Sequence, residues 1–504
     1  MKQIKIGAIL SYLSIIITML VTLIYTPVMI RMLGQSEYGL YALVVSFAGY
    51  LSILDMGLGN AIVRYISRNR VLGDSHMESK LIGLFFRFFI VVGFLTIIIG
   101  SFMALNVEII FGNGLTIEQL NTAKTMIIIL TLNFALSFPL SIFGAIIQSY
   151  EKYVFMKIAV IIKSIIQPII ILIVLISNYG VVAIVITSSL INLVFLIFNY
   201  GYCKKYLKIK ISFEKIDRII VKEIMLYSIF IFLTVIVDKI YWQTDQVLLG
   251  IFKDTETVAV YALAIQFIGI FLTLSTAISS LFLPKISMMV AKSGNHEELS
   301  NLFVKVGRIQ FIILGYALCG FIIFGNQFIT LWVGYEYNKA YIITLILLIP
   351  FMIDLIQNIG IIILQAKNLF AFRTIVLVVS AVLNILISIY IIDTYGSIGT
   401  AVVTGFFIFL GNGIVLNYYF KIKLRLNIKF FWKNILKLSV PMICVSTIYY
   451  LVNNNMKFEQ TLLLFIIEIL NFSALFFIFI WKFGVNKDEK TIVIKIVKSI
   501  FKKN

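Results

Sequence analysis

Long runs of apolar residues, separated by short polar loops, follow one another along almost the whole chain. Each run is continuous and about 20 residues long, which is the length of a membrane-spanning helix, whereas the strands of a membrane barrel alternate apolar and polar residues. We therefore predict about fourteen transmembrane helices. Their approximate limits are 6–30, 38–63, 81–105, 122–148, 154–177, 180–202, 224–250, 257–283, 304–325, 340–364, 372–392, 396–418, 432–452 and 460–481.

The amino-acid composition also indicates a protein that spans the membrane. Of the 504 residues, 61% are hydrophobic and only 13% are charged, whereas about a quarter of the residues of a soluble domain are charged. In lipid, backbone polar groups must be satisfied within helices or a closed barrel. The sequence thus predicts an all-α polytopic membrane protein.

The formal net charge is +19, and the basic residues are concentrated in every second loop. The positive-inside rule makes these loops cytoplasmic, and an even number of spans then places both termini there as well. No nucleic-acid-binding motif accompanies the charge, so nucleic acid is not an expected partner. We expect the basic loops to contact membrane lipids.

Short motifs recur at a nearly constant spacing in the two halves of the chain. Leu33-Gly34 returns as Leu249-Gly250, and Tyr179-Gly180 returns as Tyr395-Gly396. Six spans per repeat give both copies one orientation, which predicts two parallel six-helix lobes. The predicted divisions are an N-terminal lobe (1–203), a basic linker (204–223), a C-terminal lobe (224–420), and two extra helices with a basic tail (421–504).

Several predicted helices carry polar side chains at helical spacing along one face. Two interpretations stay open for them: hydrogen bonds between packed helices, or the lining of a wet cavity. The candidate cavity-lining amides are Asn133, Gln148, Gln167, Asn358, Gln365 and Asn384.

Ionisable residues within apolar spans are a stronger indication, because each costs several kcal/mol unless it is paired or hydrated. The residues within spans are Asp55, Lys163, Asp238, Lys239, Asp245 and Asp354. Arg87 and Arg308 lie near cytoplasmic ends at matched places in the two repeats, where snorkelling to headgroups is the alternative. Asp238 and Asp245 share a helix face, so they are candidates for proton or cation coupling or for a structural pair.

The sequence contains no pattern typical of an enzyme or a metal site. We find no phosphate-binding glycine loop, no Ser/His/Asp arrangement and no metal-ligand spacing, and the three cysteines are dispersed. We expect neither catalysis, a resident metal nor a cofactor.

The segment Tyr25–Arg68, YTPVMIRMLGQSEYGLYALVVSFAGYLSILDMGLGNAIVRYISR, resembles the N-terminal signature of bacterial polysaccharide flippases. These are oligosaccharide-lipid exporters of the multidrug/oligosaccharidyl-lipid/polysaccharide (MOP) superfamily. TDQVLLG at Thr244–Gly250 and YGSIGTA at Tyr395–Ala401 extend the resemblance. It implies a V-shaped, two-lobed fold with alternating access in the bacterial plasma membrane.

The resemblance also implies a substrate, an undecaprenyl-pyrophosphate-linked oligosaccharide repeat unit. Such a lipid moves from the inner to the outer leaflet for surface polysaccharide synthesis, with a polysaccharide polymerase and a chain-length regulator as further expected partners. Cationic side chains would bind the pyrophosphate. The candidates are Arg64, which rests on the family segment, together with Arg87, Lys163, Lys239 and Arg308. Coupling to H⁺ or Na⁺, or charge pairing, is expected of Asp55, Asp238, Asp245 and Asp354.

Three alternatives remain. A cation-coupled multidrug antiporter would share the fold, but it needs an acidic pocket, and here bases within spans are as numerous as acids. A flippase for the peptidoglycan-precursor lipid would share both fold and pyrophosphate. A non-transporting membrane scaffold would not require the polar faces repeated in both halves.

Overall fold

A computed structural model describes residues 2–291, 295–367, 369–454, 462–487, 489–491 and 494. Regular structure in this part of the chain is entirely helical. The helices are α1 Lys2–Ala48, α2 Leu58–Val71, α3 Ser75–Leu105, α4 Val107–Phe111, α5 Ile117–Ser149, α6 Tyr153–Ile176, α7 Gly180–Tyr202, α8 Arg218–Phe252, α9 Thr255–Ser280, α10 Leu283–Ala291, α11 His296–Trp332, α12 Lys339–Ile356, α13 Asn358–Ala366, α14 Phe370–Ile408, α15 Leu416–Lys423, α16 Ile428–Asn454 and α17 Leu462–Phe479. Short 3₁₀ or π turns occupy Gly49–Asp55, Cys203–Leu207, Tyr335–Tyr337, Phe409–Val415 and Ile480–Gly484.

Twelve helical segments of the described chain are long and apolar enough to cross a membrane. Two of them, Ile9–Val71 and Phe370–Lys423, are 63 and 54 residues long, and each contains two of the predicted spans. The prediction of an all-α, multi-pass membrane protein with about fourteen spans is therefore confirmed.

Glycine divides both long segments at the predicted turns. Gly34 has φ 78° and ψ 167° within α1, and Gly396 has φ 55° and ψ −141° within α14. Glycine adopts these positive φ values without the clash that a Cβ atom would cause. The Leu-Gly and Tyr-Gly motifs of the sequence thus include the residues at which the two long helices are interrupted.

The second predicted span, 38–63, is not one continuous helix, and this part of the prediction is wrong. The helix tightens into a 3₁₀ turn at Gly49–Asp55, and Met56 and Gly57 are both left-handed, with φ 50° and 69°. A Cβ atom on Gly57 would lie 2.4 Å from a methyl carbon of Ile231. Irregular backbone at membrane depth is tolerated where protein covers it, and α8 packs against this turn.

The described chain forms two compact units. The first contains the residues up to Ile265 together with Leu377–Val403, and the second contains Gln266–Val376 together with the residues from Thr404 onward. The division into lobes at residues 203 and 224 stays a prediction.

Each unit has an apolar core of its own. In the first unit, α2, α3 and α5 bury Phe85, Phe89 and Phe143 against one another. In the second, α11, α16 and α17 bury Phe472 and Phe476. Since lipid is as apolar as these side chains, close packing rather than exclusion from water holds such helices together.

Candidate functional site

A cavity of about 380 Å³ lies between α1 and α6 in the first unit. α1 contributes two tyrosines and two threonines, and α6 contributes one cation, an amide and a hydroxyl. The side chains that give the cavity its polarity are Thr18, Thr22, Tyr25, Tyr41, Lys163, Ser164 and Gln167. Two of the residues predicted from the sequence, Lys163 and Gln167, therefore line one cavity.

The spacing of residues along α6 explains why they meet there. Val160, Lys163, Ser164, Gln167 and Ile171 line the cavity, and their separations of three and four residues place them on one helix face. Pro168 lies on this face too. A proline lacks an N–H group, so it leaves the carbonyl four residues earlier, that of Ser164, without its helical donor.

Lys163 is held by neutral partners. Its Nζ donates a hydrogen bond to Oδ1 of Asn192 on α7, at 2.8 Å. The amide nitrogen of Asn192 donates in turn to Ser137 Oγ at 2.9 Å and to Asn133 Oδ1 at 3.3 Å, both on α5. Among the described residues, no carboxylate forms a salt bridge with Lys163. The network therefore fixes the ammonium group without neutralising its charge.

Arg64 and Arg87, two other predicted pyrophosphate ligands, lie elsewhere in the first unit. Arg64 is exposed, and its guanidinium stacks 4.5 Å from the ring centre of Tyr227. Arg87 donates to the backbone carbonyl of Glu214 at 3.3 Å and lies over Phe213. Arg87 thus contacts the basic linker rather than the cavity at Lys163.

Lys239, the fourth predicted cation of this unit, lies on α8. Its side chain is half-buried, and the carboxylate of Asp238 lies close enough to interact with it electrostatically. Neither residue lines the cavity at Lys163.

Arg308 is in the second unit and is occupied by a structural ion pair. It is 3% exposed, and its Nε and Nη2 donate to the two carboxylate oxygens of Glu489 at 2.7 and 3.0 Å. The carbonyls of Asn434 and Gly484 accept its other hydrogen bonds. These contacts use guanidinium N–H groups of Arg308 that the sequence prediction assigned to pyrophosphate. Arg87 and Arg308, which lie at matched places in the two repeats, therefore have different surroundings.

The predicted acidic residues do not form one cluster. Asp55 is half-buried at the 3₁₀ turn, and Asp238 is exposed on α8. Asp245 is buried and accepts a hydrogen bond from the hydroxyl of Tyr261. Asp354, in the second unit, lies 3.8 Å from Arg373. Within the described residues no group of three or more His, Cys, Asp or Glu side chains is placed to hold a metal ion.

The remaining predicted amides separate into exposed and buried sets. Gln148 and Gln365 are exposed near the ends of their helices. Asn384 is 4% exposed and accepts a hydrogen bond from Ser388. Asn358 donates to Ser275 at 2.7 Å. Asn384 and Asn358 therefore fit the interpretation of hydrogen bonding within or between packed helices.

Sequence reasoning missed three partners that define these sites: Asn192, Gln310 and Glu489. Asn192 is one of two amides within the apolar run of α7, the other being Asn199, and a polar side chain near the middle of that run was the available signal. Gln310 donates to both the hydroxyl and the carbonyl oxygen of Ser275 at 3.1 Å. Glu489 lies in the basic C-terminal segment, where nothing in the sequence marks it as the partner of Arg308.

Solved structures that resemble this chain include membrane transporters and a flippase. The structure titled "Lipid II flippase MurJ, inward closed conformation" matches with a TM-score of 0.73 at 18% identity, over 94% of this chain and 97% of that one. An inward-facing multidrug resistance MATE family transporter of the MOP superfamily matches with a TM-score of 0.65 at 16% identity, over 84% and 99%. The chain therefore has the MOP superfamily transporter fold.

A third similar structure is a MOP superfamily transporter from Pyrococcus furiosus that has a binding pocket of reverse polarity. It matches with a TM-score of 0.55 at 16% identity, over 84% of this chain and 96% of that one. No curated protein sequence matches the chain.

The family follows from the sequence match. The chain belongs to the family described as polysaccharide biosynthesis protein, whose model matches residues 4–290. The matched residues include the cavity and the network around Lys163.

Proposed function

We propose that the protein is a flippase for undecaprenyl-pyrophosphate-linked oligosaccharide repeat units. It moves them from the inner to the outer leaflet of the bacterial plasma membrane for the synthesis of a surface polysaccharide. Family membership supports the role in polysaccharide synthesis, and the shared fold supports the transport step.

One observation carries the proposal: the cavity exposes a cation whose partner is an amide. An ammonium group that is not neutralised by the protein favours an anion, and hydrogen bonds between ionised groups are about twice as strong as neutral ones. The pyrophosphate of a lipid-linked sugar is such an anion, and it cannot cross hydrocarbon unaided. Lys163 is therefore its proposed ligand.

The other cavity side chains suit the sugar that follows the pyrophosphate. Tyr25 and Tyr41 offer aromatic faces and hydroxyl groups, and Gln167 offers both a donor and an acceptor. A cavity of this size is within the range of small-molecule sites. It would hold the pyrophosphate end and the nearest sugar, while the lipid chain remains in the membrane.

The antiporter alternative fits this cavity less well. A pocket for organic cations needs acidic side chains, whereas the described residues that line this cavity include no aspartate or glutamate. Two further predictions are kept in this proposal. Both termini lie in the cytoplasm, which the basic loops support, and the coupling ion is H⁺ or Na⁺.

The peptidoglycan-precursor lipid is the second candidate substrate, because the structure with a TM-score of 0.73 is a lipid II flippase. Both lipids present a pyrophosphate to Lys163, so an experiment in cells is needed to distinguish the two substrates. Deletion of the gene should abolish the surface polysaccharide and leave lipid-linked repeat units in the inner leaflet while growth continues. Unchanged polysaccharide would overturn the proposal, and lysis with intact polysaccharide would favour the precursor lipid.

Complementation tests the role of the cavity in the same cells. A gene with Lys163→Arg should restore the polysaccharide, because the charge is kept. A gene with Lys163→Gln should not restore it, although the protein should reach the membrane in equal amount. Equal restoration by both genes would show that the charge at Lys163 is not needed.

A further inference from the structure

α6 has a second surface on the side away from the cavity, and this surface is wholly apolar. Phe155, Ile158, Ile162 and Ile166 of α6 form one wall of a groove, and α7 forms the other. Their separations of three, four and four residues place them on one helix face. Most cavity-lining residues of α6 lie on the other side of the helix, and Lys163 lies at the boundary, four residues after Ala159 and three before Ile166 of the groove. One helix thus carries a polar cavity and an apolar groove.

The groove is large and open to lipid. Its volume is about 530 Å³. Ile162 is 43% exposed on α6, and Val194 is 63% exposed on α7. Residues 155 to 170 of α6 line it, a length of roughly 22 Å at about 1.5 Å per residue. This is most of the ~30 Å thickness of the hydrocarbon core, so the groove fits an extended hydrocarbon chain.

Stacked aromatic rings lie at one end of the groove, and lysines lie near it in the sequence. Phe155 stacks on Phe198 at 5.5 Å and on Tyr202 at 3.8 Å, between ring centres. α6 begins and α7 ends at this place, and four lysines flank it. They are Lys152, Lys157, Lys204 and Lys205. An apolar groove whose two walls begin and end beside these lysines in the sequence is complementary to a hydrocarbon chain with an anionic head.

We infer that the groove between α6 and α7 binds the polyisoprenyl chain of the transported lipid. The inference rests on the proposed function, since the same lipid would place its pyrophosphate near the lysines at the ends of α6 and α7 and then at Lys163. α6 lies between chain and head, so the chain stays in contact with hydrocarbon while the head crosses in the polar cavity. Bulk phospholipid has no comparable reason to prefer this helix, because only α6 carries both surfaces among the cavities described.

Binding to the purified full-length protein in detergent tests the inference, with undecaprenyl pyrophosphate and geranyl pyrophosphate as the two probes. Ile162→Trp and Val194→Trp fill the groove. They should weaken binding of the long-chain probe about tenfold or more, because the buried chain is displaced. Binding of geranyl pyrophosphate should change less than about twofold, since its chain of two isoprene units is too short to use the groove.

Two matched variants control for the bulk of tryptophan. Ile165 is 39% exposed on α6 and Ile197 is 56% exposed on α7, and neither lines the groove or the cavity. Ile165→Trp and Ile197→Trp should bind both probes like the wild type.

The outcomes separate this inference from the proposed function. If the wild type binds undecaprenyl pyrophosphate and the groove-filling variants bind it equally well, the groove inference is wrong and the flippase stands. If phosphatidylglycerol competes with the long-chain probe at equal concentration, the groove is an ordinary lipid site and the inference is again wrong. If the wild type binds neither pyrophosphate, the proposed function fails and the inference fails with it.

Discussion

Lys163 and Arg308 are both cations within apolar helices, and the protein surrounds them in opposite ways. Lys163 is half-buried beside a cavity and donates to the amide oxygen of Asn192. Arg308 is almost completely buried and forms two hydrogen bonds with the carboxylate of Glu489. The first arrangement leaves a net positive charge facing a cavity, and the second leaves none.

This difference teaches how to assign a cation within a membrane protein. Sequence position alone marked both residues as candidate pyrophosphate ligands. The hydrogen-bond partner decides whether such a cation is structural or available to a ligand. A carboxylate neutralises the cation within the protein, whereas an amide orients the cation and leaves its charge for a ligand. The four predictions that follow test this distinction, from the largest expected effect to the smallest.

Removal of Arg308 should damage the fold. Arg308→Met leaves the carboxylate of Glu489 buried without its partner, which typically costs about 3–5 kcal/mol. We expect a large fall in the free energy of unfolding, measured by thermal or denaturant unfolding of the purified protein. The double variant Arg308→Met/Glu489→Leu should recover most of the loss, because neither charge is then left unpaired.

Arg87→Met is the control for Arg308, since the two arginines occupy matched positions in the repeats. The guanidinium of Arg87 donates to a backbone carbonyl and forms no salt bridge with a described carboxylate. The loss of Arg87 should therefore lower the free energy of unfolding much less than the loss of Arg308. If Arg308→Met were fully stable and only failed to bind pyrophosphate, Arg308 would be the ligand that the sequence predicted.

Asn192→Asp should convert the surroundings of Lys163 into those of Arg308. The new carboxylate would lie within salt-bridge distance of Nζ and neutralise it. We expect pyrophosphate affinity to fall about tenfold or more, because a hydrogen bond to a charged group contributes about 1.5–3 kcal/mol. Isothermal titration with undecaprenyl pyrophosphate measures this loss. Affinity equal to the wild type's would show that the charge of Lys163 is not used.

Ser137→Ala should have a smaller effect. It removes a hydroxyl that accepts from Asn192 and donates to Asn133, and so it loosens the position of Lys163. A neutral hydrogen bond contributes about 0.5–1.5 kcal/mol, which corresponds to a loss of roughly two- to tenfold in affinity. Ser141→Ala is the matched control. It lies one turn further along α5, where its hydroxyl donates to the carbonyl of Phe138 and, among the described residues, to no side chain of the network around Lys163. Equal losses from both variants would rule out a positioning role.

Glu214 should show the weakest effect, because its ion pair is exposed. Its carboxylate lies 2.8 Å from Lys80, and the hydrogen bond from Lys80 lowers the pKa of Glu214 below its usual value. A lowered folded-state pKa stabilises the fold above the unfolded-state pKa, and this contribution is lost as pH falls through the folded-state value. Glu214→Gln should therefore lower Tm slightly at pH 7. The difference should shrink as the pH falls below about 4.3, the usual glutamate pKa, and vanish once the pH is below the lowered folded-state pKa. A difference that persisted in acid would have another cause.

The fold was predictable in outline from hydrophobic runs alone. The run lengths and the Leu-Gly and Tyr-Gly motifs located the spans and the turns at Gly34 and Gly396. The 3₁₀ turn before Gly57 was not predictable from hydrophobicity, because a continuous helix and an interrupted helix can have the same run of apolar residues. The close approach of Ile231, which is distant in sequence, explains why a residue without a Cβ atom occupies position 57.

The candidate site was predictable only in part. A lysine and a glutamine four residues apart, followed by a proline, indicated a polar face on α6, and the structure places both side chains on one cavity. The sequence did not separate Lys163 from Arg308, because the decisive partners Asn192 and Glu489 are 29 and 181 residues away. Such long-range pairs leave no periodic signal.

Translocation by the reconstituted protein tests the central claim most directly. Proteoliposomes carrying a fluorescent undecaprenyl-pyrophosphate-linked oligosaccharide would report its transfer between leaflets by loss of quenching from an external reagent. We predict transfer by the wild type and by Lys163→Arg, and a fall to the rate of protein-free vesicles for Lys163→Gln at equal protein content. Transfer by Lys163→Gln at the wild-type rate would contradict the account.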